Sequence, residues 1–127
     1  MSKPLTLITG GSRGIGRALA LELATRGHDL ILTWHQNPES AAQTAAQVGA
    51  AGARVATLQL DVGASATFPA FAQAVRATLR DTFGRDNFTG LVNNAGHGCH
   101  APFADTTEAQ LDSAFNVHFK GPFLLTQ

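Results

Sequence analysis

An α/β fold built on a doubly wound parallel sheet, with strand order 3-2-1-4, is predicted by three observations on this 127-residue chain. Short apolar runs alternate with longer helix-like runs from Leu5 to the C-terminus, a glycine-rich turn joins the first strand to the first helix, and no repeat, linker or low-complexity segment interrupts the series. A βαβαβαβα succession requires parallel strands with helices on both faces, and right-handed crossovers then set the order.

Leu5 to Ile8 reads as a buried strand. Ile15 to Arg26 reads as a helix whose Leu19 and Leu23, four apart, mark the apolar face, with Gly27 as its stop. His28 to Trp34 carries the Leu30, Ile31 and Leu32 of a second strand. Asn37 and Pro38 supply a cap and a first-turn proline for an alanine-rich helix that runs to about Ala51. Arg54 to Val62 is a third strand, followed by a third helix from near Ser65 to about Phe83. Gly90 to Asn93 is a fourth strand, and Thr107 with Gln110 three residues later forms a capping box that opens a fourth helix, still in progress at Gln127. Phe119 and Phe123, four apart on that helix, read by default as a core stripe. In the order 3-2-1-4 the fourth strand is a sheet edge, so Leu91, Val92 and parts of Phe115, Phe119 and Phe123 are expected to face solvent.

The turn after the first strand reads Thr9-Gly10-Gly11-Ser12-Arg13-Gly14-Ile15-Gly16. Strand, glycine turn and helix in that order make a dinucleotide-binding fingerprint, because backbone must approach a pyrophosphate whose charge is met by the helix N-terminus. The spacing Gly-x-x-x-Gly-x-Gly resembles that of the short-chain dehydrogenase/reductase family. Leu91-Val92-Asn93-Asn94-Ala95-Gly96 matches the Asn-Asn-Ala-Gly at the end of that family's fourth strand, and Val117-His118-Phe119-Lys120-Gly121-Pro122-Phe123 resembles its fourth helix. The resemblance covers essentially the whole chain but only the first half of a typical member. It implies an oxidoreductase that moves a hydride between a nicotinamide and a carbonyl or alcohol substrate. The chain is accordingly expected to be one NAD(P)-binding Rossmann-type domain, residues 1–127, truncated before the fifth strand.

By that resemblance Thr9, Gly10, Ser12, Arg13, Gly14, Ile15 and Gly16 hold the pyrophosphate, while Asn93, Ala95 and Gly96 pass beside the ribose on the nicotinamide side. Asp61 and Val62 match the residues that contact adenine; the alternative for Asp61 is a turn or helix-cap residue. An NAD enzyme places an acid about 20 residues after the glycine turn, where it accepts from the free 2′-hydroxyl. Here the second strand ends Thr33-Trp34-His35-Gln36-Asn37, with no carboxylate. Arg13, inside the turn, and His35, at the strand end, are the candidate ligands of a 2′-phosphate, Arg13 the stronger because its charge does not depend on pH near neutrality. Each has a plainer alternative as a solvated surface residue. NADP is therefore expected as cofactor over NAD.

The family's catalytic Ser, Tyr and Lys follow on its fifth strand and helix, and this chain contains no tyrosine. Its fourth catalytic residue, an asparagine that holds a water of the proton relay, aligns with His118. An imidazole can also hold a water or pass a proton; the alternative is a helix histidine packed beside Phe115 and Phe119. A non-catalytic dinucleotide-binding module is the second functional reading. His97-Gly98-Cys99-His100 is too closely spaced for tetrahedral zinc, so no metal site is expected, and the segment reads as a loop over the substrate side.

Lys and Arg total 9 and Asp and Glu total 9, a balance that offers nothing to nucleic acid or an anionic membrane. At 44% hydrophobic the chain can build a core, and 14% charged residues, against roughly 25% in soluble domains, imply surface meant to be covered; the family's fourth helix joins a subunit interface, so a homo-oligomer is expected of the longer protein. Cys99, alone, excludes an internal disulfide and suits a reducing compartment. The first strand begins by Leu5, leaving no room for a signal peptide, and no apolar run reaches the length of a membrane span, so a cytoplasmic location is expected.

Overall fold

The structure, a computed structural model, describes residues 3–127. β1 (Leu5–Ile8) lies between β2 (Asp29–Trp34) and β4 (Gly90–Val92), and β3 (Val55–Gln59) pairs with the far side of β2. All pairings are parallel, in the order β3-β2-β1-β4 that the alternation of elements predicts. The strands read as apolar runs because helices cover both faces. On one face Ile8, Leu30 and Leu32 cluster with Ala20 and Ala24 of α1 (Gly14–Thr25) and Val48 of α2 (Pro38–Ala50). On the other, Leu5, Leu7 and Ile31 cluster with Phe71, Val75, Leu79 and Phe83 of α3 (Phe68–Phe83).

Helix ends follow the local chemistry. Gly27 takes φ +89°, and the His28 N–H donates to the Leu23 carbonyl at 3.0 Å while the Gly27 N–H donates to Ala24 at 3.1 Å, a Schellman closure that only a left-handed residue permits cheaply. Asn37 Oδ1 accepts from the Ser40 N–H at 3.0 Å, with Pro38 in the first turn. Thr107 and Gln110 complete the capping box of α4 (Glu108–Phe115), the Gln110 N–H donating to Thr107 Oγ1 at 3.2 Å and the Thr107 N–H to Gln110 Oε1 at 2.9 Å.

Three expectations need correction. β3 stops at Gln59, short of Val62, because the Asp61 carboxylate folds back onto the Gly63 N–H at 2.8 Å and turns the chain away from the sheet. The fourth helix is not regular: α4 widens into a π-helical turn at Asn116–Lys120 before α5 (Gly121–Thr126). Pro122 has no N–H for the carbonyl four residues back, that of His118, and its ring crowds that oxygen. A wider turn just ahead of the proline relieves both problems. Gly121 then lets the helix close on the turn after β3, since a Cβ there would overlap the Val62 carbonyl and lie 2.7 Å from the Asn116 carbonyl.

The third correction concerns the aromatic stripe. Phe115, Phe119 and Phe123 stack on one another with ring centroids 5.4 and 6.3 Å apart, each more than half exposed, so Phe119 and Phe123 are not core residues. Their spacing puts three rings on one face without saying what that face meets. β4 is the sheet edge, as expected, but Leu91 and Val92 are half-buried against the margins of the two clusters. No helix among the described residues is long and apolar enough to cross a membrane.

Two substitutions separate crowded from open glycine positions. Gly121→Ala should cost about 1–3 kcal/mol in urea denaturation because the methyl has backbone in its way. Gly49→Ala, in open space on α2, should instead leave stability unchanged or raise it by up to about 1 kcal/mol.

Candidate cofactor site

β1 and β4 are neighbours, so the glycine turn after β1 and the loop after β4 emerge side by side at the carboxyl end of the sheet. Thr9, the last residue before the turn, is 1% exposed. Its hydroxyl oxygen accepts from the N–H groups of Asn94 and Ala95, each at 3.1 Å, while the Thr9 N–H donates to the Val92 carbonyl at 3.0 Å. Asn94 returns the contact: its Nδ2 donates to the Gly10 carbonyl at 3.0 Å. The far side of the turn is tied to β2, with the Gly10 N–H donating to Thr33 Oγ1 at 3.0 Å and the Gly11 N–H to the Thr33 carbonyl at 3.1 Å.

The glycines answer different requirements. Gly10 takes φ +65°, and a Cβ there would stand 2.9 Å from Ala95 Cα. At Gly16 a Cβ would run into the Gly10 carbonyl and come within 2.7 Å of Asn94 Nδ2. Gly14 is different. Nothing lies within 4 Å of its would-be Cβ, so its glycine is demanded by φ +57°. Ile15 is 81% exposed at the first turn of α1, whose leading N–H groups have no intrahelical acceptor. A narrow glycine cradle beside such a helix end fits a pyrophosphate.

Other candidates sit as follows. Arg13 is the exposed N-cap residue of α1, its side chain making no cap bond. Ser12 is buried. His35, exposed just past β2, has Nε2 3.5 Å from Asp61 Oδ2, beside an open cleft between β3 and α3 lined by Leu58, Leu60 and Phe71. Asp61 is therefore a turn residue that also faces His35. Two side chains do not present themselves to a ligand. The Thr9 hydroxyl is spent inside the protein, and the Val62 side chain is packed in the core at 5% exposure, so only backbone atoms are on offer at Val62. Asn93 is exposed and donates from Nδ2 to Thr126 Oγ1 of α5 at 3.0 Å; Ala95 is half-buried and Gly96 exposed.

His118 lies in the π-helical turn and meets His97, while Phe115 and Phe119 stack on each other, so the alternative of a histidine packed beside those two rings finds no support. Its Nε2 is 2.6 Å from the His97 carbonyl oxygen, the two imidazoles meet edge to face at 5.6 Å, and Ser113 Oγ is 3.3 Å from His97 Nε2. The widened turn rotates residue 118 toward the loop after β4. Sequence reasoning missed three members of this constellation: Thr33, the Asn94 side chain and His97. Asn94 was visible inside its motif, whereas nothing local marks Thr33 or His97 as partners.

A family model described as short chain dehydrogenase matches residues 4–127. The chain belongs to the short-chain dehydrogenase/reductase family. An uncharacterized oxidoreductase, YohF of Escherichia coli (strain K12), is 37% identical over 123 residues, covering 97% of this chain and 46% of that protein. Among solved structures, the promiscuous reductase LugOII, which catalyses keto-reduction at C1 during lugdunomycin biosynthesis, superposes with a TM-score of 0.92 at 33% identity, covering 98% of this chain and 49% of its own. A metagenomic short-chain oxidoreductase solved in complex with NADP gives a TM-score of 0.81 at 33% identity, covering 96% and 52%. The chain thus spans about half the length of the relatives it matches.

Thr9→Val keeps the shape of the side chain and removes the oxygen that receives two amides. It should cost about 1–3 kcal/mol in denaturant unfolding, the desolvation penalty of stranded donors, with Thr9→Ser recovering most of the loss.

Proposed function

We propose that residues 1–127 form the cofactor-binding domain of an NADP-dependent oxidoreductase that moves a hydride between nicotinamide and a carbonyl or alcohol substrate. One observation carries the cofactor choice: an exposed Arg13 inside the glycine turn, with no carboxylate where β2 ends. A free 2′-hydroxyl would find no acceptor at Trp34, whereas a 2′-phosphate would find a guanidinium able to bind two of its oxygens. His35 adds a second donor, and the NADP-bound relative supports the same reading.

In this reading Gly10, Gly14 and Gly16, with the amides that open α1, hold the pyrophosphate, and the backbone of Ser12 and Ile15 lines the cradle. Asp61 and the Val62 backbone flank the adenine; Asn93, Ala95 and Gly96 flank the nicotinamide ribose. When bound, the nicotinamide supplies or accepts the hydride. His118 occupies the position of the family's relay asparagine and meets the His97 carbonyl, which suits a residue that orders a water or passes a proton beside the substrate loop. The family's Ser, Tyr and Lys would come from polypeptide outside these residues, and a homo-oligomer through the face bearing Phe115, Phe119 and Phe123 fits their exposure. A non-catalytic dinucleotide-binding module is the second reading, favoured by the absence of tyrosine.

In the full-length protein, NADPH should bind more tightly than NADH by titration calorimetry, and Arg13→Ala should remove most of that preference, about 1.5–3 kcal/mol for a charge-assisted contact. Equal affinities in the unaltered protein would overturn the NADP assignment. Residues 1–127 expressed alone should aggregate and show no reductase activity; turnover of NADPH with a carbonyl substrate by that fragment would refute the division of labour.

A further inference from the structure

Below the glycine turn, on the side facing α2, Arg17 and Thr44 make a closed set of hydrogen bonds. Arg17 Nε donates to Thr44 Oγ1 at 2.7 Å, and the Thr44 hydroxyl donates onward to the Ser12 carbonyl at 2.6 Å. An Arg17 terminal nitrogen donates to the same Ser12 carbonyl at 3.0 Å and reaches the Ser40 carbonyl at 3.4 Å. Thr44 has no exposed surface and Ser12 is 8% exposed, so the bond between them is shielded from water, with Arg17 half-buried beside it. Among the described residues no carboxylate pairs with Arg17.

A single main-chain oxygen in the middle of the turn therefore receives two donors from beneath. The bond from Arg17 polarises the Thr44 hydroxyl and strengthens what it donates. A trans peptide holds its C=O and the next N–H antiparallel. Pinning the Ser12 carbonyl toward α2 therefore aims the Arg13 N–H the opposite way. The unpaired guanidinium also places a positive charge under the start of α1, where an anion is already favoured by the helix end.

We infer that Arg17 and Thr44 are positioning residues that hold the phosphate turn in its receiving shape before any nucleotide arrives. This rests on the reading that the turn receives a dinucleotide pyrophosphate. Because the brace acts on a backbone carbonyl, it serves NADP and NAD alike, which separates it from the discriminating role of Arg13. Binding to a preshaped turn avoids the cost of ordering it, so loosening the brace weakens affinity and leaves turnover at saturating cofactor intact.

The test uses the full-length protein with Thr44→Val, Thr44→Ser and Arg17→Met, reading NADPH and NADH dissociation constants, turnover at saturating cofactor, and amide exchange of residues 12–16 without nucleotide. Thr44→Val and Arg17→Met should each weaken both nucleotides by about tenfold, the size of one lost charge-assisted bond, and speed exchange of the turn while β1 and β2 stay protected. Thr44→Ser should bind as the unaltered protein does. Unchanged affinity in Thr44→Val, an equal loss in Thr44→Ser, or a loss confined to NADPH would overturn the inference. If the unaltered protein binds neither nucleotide, the cofactor reading fails separately, and the brace then stands or falls on whether exchange of the turn accelerates.

Discussion

Two loops leave adjacent parallel strands side by side, and the Thr9 hydroxyl fastens one to the other. It takes the amides of Asn94 and Ala95 where water is excluded, and the Asn94 side chain closes the circuit on the Gly10 carbonyl. The clasp welds the glycine turn to the loop after β4, so the two segments have one fixed separation. Gly10 and Gly16 are small because of this closeness: a Cβ on either would push the loops apart. The arrangement of the loops at the carboxyl end of the sheet thus depends on one inward-facing hydroxyl.

The same economy operates on the other walls of the site. Thr33 at the end of β2 holds the turn by its hydroxyl and its carbonyl, and α2 approaches from below. The turn therefore has partners in β2, in the loop after β4 and in α2, while its open side presents the leading amides of α1. A glycine-rich segment is costly to order. Distributing its anchors among separate elements makes its shape a consequence of the packed core, because displacing any anchor would shift a strand or helix whose apolar face is buried.

The C-terminal helix is governed by a different conflict, between helix continuation and Pro122. The widened turn at Asn116–Lys120 accommodates the proline, and Gly121 allows the helix to lie against the Val62 carbonyl. One result is that His118 faces the His97 carbonyl and the loop after β4, while the phenylalanines stack on one another. The imidazole and the aromatic stripe of one helical segment thus have separate partners.

Local chemistry in the sequence determined the elements and their order. Apolar runs, the Asn37-Pro38 and Thr107–Gln110 caps and the Gly27 stop act over a few residues, and the parallel order follows from alternation and handedness. The glycine spacing and Asn93–Gly96 likewise marked the two segments that meet at the carboxyl end of the sheet as a candidate site. Tertiary structure alone decided that Thr9 and Val62 turn inward, that Gly14 is a conformational requirement and not a steric one, that Asp61 binds its own turn and faces His35, and that His118 meets His97. These depend on which distant groups end up within hydrogen-bond reach or within van der Waals contact, a property of how strands and helices pack that residue spacing along the chain does not encode.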